Sequence, residues 1–352
     1  MVEPNNLIIH ESILRKRWKK FKSLKRGYFS LLILFSLYLI SFCLPLLINN
    51  RALIVKYNGD FYFPVFKGYI AGENFNQNVP GEARYRDLKI EFNDQSNNNW
   101  VLMPPYPYSP YEDITFEGNK MYESPSRRHW LGTDNTGRDV FARLCYAFNI
   151  SISFALLLTV INYIFGIFIG GAMGYFGGKF DLFFQRLIEI WSSLPMLFVI
   201  IIISSILKPS FILLIGIYTL INWISMTYLI RAEFYREKAK PYVAAALSMG
   251  QSDFKVMFKH ILPNSLVPVI TYFPFSVVAG ISALVGLDYL GFGLAPPTPS
   301  WGQMLDVGLS NITKWWMVFS PVSAQFFTLL GIVFIGEGVR EAFDPKIYSR
   351  LR

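Results

Sequence analysis

Six stretches of mainly apolar residues recur along this chain, and they limit its fold more than any other feature. They run from Tyr28 to Ile48, Ile150 to Tyr175, Leu182 to Leu207, Phe211 to Ile230, Leu266 to Leu287 and Val322 to Val339. A helix of about 20 such residues crosses the hydrocarbon core of a bilayer. It also satisfies its own backbone hydrogen bonds there, where no water can. Composition agrees: 53% of the 352 residues are hydrophobic and 16% are charged, whereas soluble domains are about one quarter charged. The expectation is an all-α polytopic membrane protein with six transmembrane helices.

The formal net charge is +9. The basic residues lie beside the apolar stretches, where they set orientation, so the bilayer is the expected partner and nucleic acid is not. Arg15, Lys16, Arg17, Lys19, Lys20, Lys22, Lys25 and Arg26 precede the first stretch. That leader is too long for a cleaved signal, and Leu46-Leu-Ile-Asn-Asn50 offers no small-residue cleavage site. A retained anchor with a cytoplasmic N-terminus is expected. Six crossings return the C-terminus to the cytoplasm, in keeping with Arg340, Lys346, Arg350 and Arg352. The loop from Asp288 to Pro321, on the other side, carries only Lys314.

These spans divide the chain into a basic segment 1–27, a first helix 28–48, an external insertion 49–149, a core 150–340 and a tail 341–352. In the insertion, Leu53 to Tyr57 and Asp60 to Phe63 flank Asn58-Gly59 and read as a β-hairpin on a two-residue turn. Asn, Pro and Tyr then dominate, so a small, loop-rich α/β or β cap is expected. Two roles stand open for it: stabilising the fold, or meeting a substrate-delivery protein.

Gly166, Gly170, Gly174 and Gly178 recur four apart and predict a close helix–helix seam. Gly177-Gly178-Lys179 imitates a phosphate loop but fails it, with Met173 where glycine is needed and Phe180 where Ser or Thr is needed. Arg186 and Glu189 are spaced to pair, and Pro195 predicts a kink in the third span. Tyr289 to Gly302 is dense in Gly and Pro and predicts an irregular turn at the external mouth. Trp301, Trp315 and Trp316 suit a membrane interface. His129 and Asp134 suggest no catalytic set, and a lone loop histidine is expected to be solvated. Cys43 and Cys145 imply no disulfide framework, and the three histidines have no metal-ligand spacing. Neither a catalytic nor a cofactor site is expected, so the chain is read as a non-enzyme.

The segment from Tyr242 to Asn264 reads as helix, turn, helix. Ala245, Ala246 and Leu247 favour a helix, and Gly250 supplies the turn. Ser252 or Asp253 would cap a second helix. Phe254, Met257, Phe258 and Ile261 give that helix one apolar face, and Pro263 would stop it. Arg231, Arg236, Lys238, Lys240, Lys255 and Lys259 flank the pair. Such a greasy, basic hairpin between cytoplasmic span ends is suited to grip a cytoplasmic partner.

Ala245, Ala246, Gly250, Ile261, Leu262 and Pro263 resemble the "EAA loop" by which permeases of ABC importers dock on their ATPase subunits. Ala244 stands where that motif has glutamate, so no salt bridge is expected from it. Trp130 to Leu144, Leu290 to Gly302 and Ala342-Phe-Asp-Pro345 are similar to the C-type permeases of dipeptide and oligopeptide importers. Tyr57 to Phe66, Arg231-Ala-Glu-Phe234 and Phe334 to Pro345 look like the microcin C type of peptide permease. The resemblance implies a type I ABC importer permease fold in the inner membrane. It implies a second permease subunit, separate or fused ATP-binding subunits that use ATP and Mg, and an extracytoplasmic substrate-binding protein. Lys255, Lys259 and Arg236 would add polar contacts to the docking hairpin. The rival readings are a secondary transporter or channel without an ATPase, which predicts broken or charged helices at mid-membrane, and a membrane enzyme. Apart from Pro195, Pro268 and Pro274, the spans offer little for the first. No acid–base or ligand cluster supports the second.

Overall fold

A computed structural model of the chain describes residues 12–94, 98–115 and 120–344. The tail from Pro345 to Arg352, with Lys346, Arg350 and Arg352, lies outside the described residues, as do residues 1–11. The chain begins with α1 (Ile13–Ser23), whose N-terminus Ser12 caps by accepting from the Arg15 N–H at 3.3 Å. Next comes α2 (Lys25–Ser41), bent 92° from α1, and then the short α3 (Leu44–Leu47). The first apolar stretch is therefore not one helix to Ile48; it breaks at Phe42 and Cys43 ahead of Pro45.

Strands β1 (Ile54–Tyr57) and β2 (Asp60–Tyr62) form the expected hairpin. Asn58 and Gly59 both have positive φ, at 51° and 95°, which matches the twist of a two-residue hairpin turn. The short α4 (Pro64–Lys67) follows, then α5 (Tyr85–Asp94) and β3 (Trp100–Leu102), which pairs antiparallel with the free edge of β1. Val55 and Val101 meet Phe75, Leu88 and Phe92 in a small apolar core of their own. This segment is more ordered than its Asn- and Pro-rich sequence suggests. Tyr85, Leu88 and Phe92 mark one buried face of α5 at helical spacing.

The remainder is helical. α6 (Val140–Phe176) is 37 residues long, about 55 Å at 1.5 Å per residue, and overshoots the hydrocarbon core. It starts ten residues before the expected Ile150 because Asp139 caps it, accepting from the Ala142 N–H at 2.7 Å. α7 (Gly178–Ser192) and α8 (Met196–Ile206) make up the third stretch as two helices bent by 67°, a break rather than a kink. Pro195 has no N–H and forces Leu194 out of the helical region. α9 (Phe211–Lys238) leads into α10 (Pro241–Ser248), α11 (Asp253–Lys255), a π-helical turn (Val256–Ile261) and α12 (Leu262–Tyr289). α13 (Trp301–Leu309) and α14 (Trp315–Phe343) complete the fold. Among the described residues four helices are long and apolar enough to cross a membrane, or six if each bent pair counts as one.

α6 is the axis of this bundle, with α9 against one side and α12, α13 and α14 against the others. Trp301 and Trp316 do not face outward. Both are buried in the core beside α6, because each indole N–H finds a carbonyl, that of Leu144 at 3.2 Å and of Thr133 at 3.4 Å. Of the three, only Trp315 is exposed.

His129 is not solvated either. The loop before α6 folds over that helix's start, and His129 is 1% exposed with Nδ1 2.8 Å from Asp139 Oδ2. The Tyr106 hydroxyl donates to the same oxygen at 2.6 Å. Burial, and after it the Asp139 carboxylate, push the Tyr106 phenol well above its usual pKa, so it stays a donor. Asp134 accepts from Arg138 Nε at 2.9 Å and faces the buried Arg143 at 3.6 Å. Cys145 lies inside α6 and is a free thiol, as is Cys43.

Candidate coupling hairpin

At the opposite end of α6, residues 237–264 form a compact projection. Pro241 opens α10, where its fixed φ suits a first turn and its missing N–H costs nothing. Val243 and Ala246 turn inward and are 1% exposed, while Ala244, Ala245, Leu247 and Met249 face out. Gly250 then reverses the chain at φ 75°, and the Gln251 N–H closes the helix end on the Ala246 carbonyl at 3.2 Å. A Cβ at Gly250 would meet nothing within 4 Å, so the requirement for glycine is conformational, not steric.

The second arm differs from expectation in two ways. Neither Ser252 nor Asp253 caps α11 with its side chain. Asp253 instead accepts from the Tyr175 hydroxyl at 2.5 Å, tying the hairpin to the end of α6. Pro263 also does not stop the helix, which runs on from Asp253 to Tyr289. The π-helical turn widens the helix just before Pro263, and the α-helix restarts with the proline in its first turn. There the absent N–H is tolerated, and the clash with the carbonyl four residues back is relieved. The hairpin's second arm is thus the start of α12 itself.

Polar groups lock the base. Glu237, 2% exposed, accepts from Lys240 Nζ at 2.6 Å and from the Tyr242 hydroxyl at 2.9 Å. Asn264 Nδ2 donates to the His260 carbonyl at 2.9 Å and lies 3.3 Å from the Tyr242 hydroxyl. His260 Nε2 is 2.7 Å from Gln251 Oε1, bracing the two arms across the turn. Burial, and after it the hydrogen bond to Glu237, raise the Tyr242 pKa and keep that hydroxyl protonated.

The expected apolar face is divided. Met257 and Ile261 are buried with Val243, Ala246 and Val256 against Phe234 of α9 and Tyr175 of α6. Phe258 is half-buried and Leu262 is packed at the edge of the same cluster. Phe254 alone of the predicted face projects freely, at 70% exposure, its ring stacked obliquely on Phe258 at 4.5 Å. Met249, 71% exposed, and Leu247, 40% exposed, complete an apolar tip that sequence reasoning missed. Leu247 lies four residues after Val243 and Met249 three after Ala246, so spacing places both beside the buried face and does not by itself mark them as exposed. Lys255 and Lys259 are exposed beside the tip, whereas Arg236 is paired with Glu233.

Behind the hairpin lies the glycine seam. A Cβ at Gly166 would come within 2.6 Å of Met226 Cβ, at Gly170 within 2.3 Å of the Thr227 carbonyl, and at Gly174 within 2.6 Å of the Arg231 carbonyl. These three let α6 and α9 touch backbone to backbone. Gly178 does not belong with them. α6 ends at Phe176, Gly177 and Gly178 have positive φ, and a Cβ at Gly178 would meet nothing within 4 Å. Its role is to turn the chain into α7. Asp181 near that turn binds Arg231 Nε at 2.6 Å and accepts from the Tyr235 hydroxyl at 2.8 Å, fastening α7 to α9. Arg186 and Glu189 pair at 2.6 Å on the exposed side of α7. Among the described residues no three His, Cys, Asp or Glu side chains gather as a metal site would need.

A helix–turn–helix clamped to a bundle of apolar helices fits one comparison directly. Residues 164–348, which hold the seam, the hairpin and the last helices, match the family described as "Binding-protein-dependent transport system inner membrane component". The chain belongs to this family. It is 40% identical over 331 residues to the "Inner membrane ABC transporter permease protein YejE" of Escherichia coli K12, covering 94% of this chain and 96% of that one. It is 36% identical to the "Peptidoglycan transport system permease protein YejE" of Agrobacterium fabrum, covering 94% and 93%. It is 34% identical over 241 residues to the "Dipeptide transport system permease protein DppC" of Bacillus subtilis, covering 68% and 75%. These family members are permease subunits of transporters rather than enzymes.

Proposed function

We propose that this permease is one membrane subunit of an ATP-driven importer for peptides or peptide-like compounds, and that it docks on ATPase subunits through residues 242–264. The observation that carries this reading is the hairpin tip. Leu247, Met249 and Phe254 stand exposed on a base locked by Glu237, Tyr242 and Asn264. Exposed large apolar residues on a rigid projection are characteristic of a docking surface. The hairpin continues into α12 and packs on α9 and α6, so a push at the tip is transmitted to three long helices.

The remaining parts of the assembly are our reading, supported by the family. Each bent pair counts as one crossing, which makes six, and both termini lie in the cytoplasm with the hairpin. Residues 49–139 face the other side, toward an extracytoplasmic binding protein. A second, different permease subunit completes the pathway, and the partner ATPases, fused or separate, use the ATP and Mg. The cargo is a peptide class, as the name of the dipeptide relative suggests. A microcin C-like compound is the narrower form of that reading, carried by the resemblance of Tyr57 to Phe66 and Phe334 to Pro345.

The test is Gly250→Trp in the assembled importer. A Cβ at Gly250 meets nothing within 4 Å, but the left-handed turn and the docking surface are both spoiled. ATPase subunits should be lost on purification and uptake of a labelled tripeptide should fall by about tenfold or more. If association and uptake are both intact, the coupling role is wrong and a transporter or channel independent of an ATPase becomes the better account.

A further inference from the structure

α6, α9 and α12 enclose a cavity of about 320 Å³ close to the middle of each helix. Its character differs from the two larger grooves of the bundle, whose walls are almost wholly hydrocarbon and suit lipid tails. Here α6 contributes Thr159, Asn162 and Tyr163, α9 contributes Asn222 and Ser225, and α12 contributes Tyr272 and Ser276. Among the described residues that line it there is no Asp, Glu, Lys or Arg.

Two observations make this more than a polar seam. Asn162 is 7% exposed, and its side-chain carbonyl oxygen is buried without a hydrogen-bond partner. Buried amides are normally satisfied, so an unpaired acceptor on a residue that lines the cavity is suited to receive a donor. Asn222, Ser225 and Tyr272 are exposed on the same side of the bundle. An exposed amide and hydroxyl set midway along spanning helices is unfavourable against lipid. This face therefore meets water, cargo or protein.

Neutral donors and acceptors without charge suit the one chemistry that all peptides share, the main-chain amide. Charged walls would select for side chains or termini, and apolar walls would reject the backbone. Resting on the permease reading above, we propose that this cavity is a cargo-contact site that hydrogen-bonds peptide main-chain amides, with Asn162 Oδ1 accepting a peptide N–H. The Tyr163 hydroxyl and Ser276 Oγ, 2.7 Å apart, hold the adjacent wall in place. Asn222, whose own amide donates to the Tyr218 carbonyl at 3.1 Å, keeps its oxygen as a second acceptor.

The test uses the assembled importer with its binding protein in liposomes. Uptake of trialanine is compared with uptake of its backbone N-methylated form, for the natural chain and for Asn162→Leu. The same binding protein serves both chains, so its own preference cancels in the ratio. The natural chain should favour trialanine, and Asn162→Leu should reduce that preference by about tenfold, the worth of one hydrogen bond to a buried acceptor. An unchanged ratio overturns the proposal. Copurification with ATPase subunits reports whether Asn162→Leu assembles. Should it fail to, Asn222→Leu, at an exposed position, takes its place in the same comparison. A reduced preference then supports the proposal, and an unchanged one overturns it. Absence of ATP-dependent uptake in the natural complex would instead defeat the importer reading and is seen before any variant is made.

Discussion

The two ends of α6 use polar side chains in opposite ways. At its start, Asp139, His129, Tyr106, Asp134 and Arg143 turn inward as a buried knot, in which Asp139 accepts from Tyr106 and lies beside His129, and Asp134 faces Arg143. Beyond its finish, polar groups lock only the base of the hairpin, and the tip presents Leu247, Met249 and Phe254 to the outside. The first arrangement makes a fixed point. The second makes a stiff projection with an unsatisfied surface. A rigid end and a gripping end, joined by the helix between them, are what a lever requires.

The contrast predicts effects that differ in kind. Removing the charge of Asp134 with Asp134→Asn leaves Arg143 buried without a full counter-charge, and unfolding in detergent should become easier by about 3–5 kcal/mol. At the tip, Met249→Asp with Phe254→Asp should leave the thermal midpoint nearly unmoved yet weaken ATPase association by about 2–4 kcal/mol, measured by titration of the detergent complex. If this pair destabilised the chain as much as the first variant, the two ends would not differ as described. Asp139→Ala removes both a helix cap and the shared acceptor of Tyr106 and His129, and should cost about 2–3 kcal/mol in the same unfolding assay. Gly250→Ala should cost about 1 kcal/mol, from the left-handed turn alone. Arg51→Ala, which breaks a partly exposed pair with Glu82 far from both ends, should fall within about 0.5 kcal/mol.

The apolar stretches and the family segments were legible because they are local patterns. So were the β-hairpin at Asn58-Gly59 and three of the four seam glycines. What was not legible depends on partners distant in the chain. His129 becomes buried only because the loop that carries it closes over Asp139. Trp301 turns inward because Leu144, 157 positions away, offers it a carbonyl. Met257 and Ile261 have the pattern of a docking face, but Phe234 and Tyr175 already cover them. Gly178 keeps the spacing of a seam residue although its helix has ended two residues earlier. In the hairpin the sequence marked the right segment and one outward residue, Phe254, but not that the first arm adds Leu247 and Met249 beside it.

The π-helical turn at Val256–Ile261 has a rotational consequence. It takes up one residue more than an α-turn, and each residue of an α-helix advances the azimuth by about 100°. The wider turn absorbs that extra residue, so the faces of α12 downstream keep their register with the hairpin. Deleting one residue from the turn would restore an unbroken α-helix and leave Tyr272 and Ser276 facing nearly as before, whereas deleting one residue from the α-helix just after it would swing them by about 100° about the α12 axis, out of the wall they share with Asn162. The hairpin and the cavity are thereby set in angular register, like two teeth cut on one shaft.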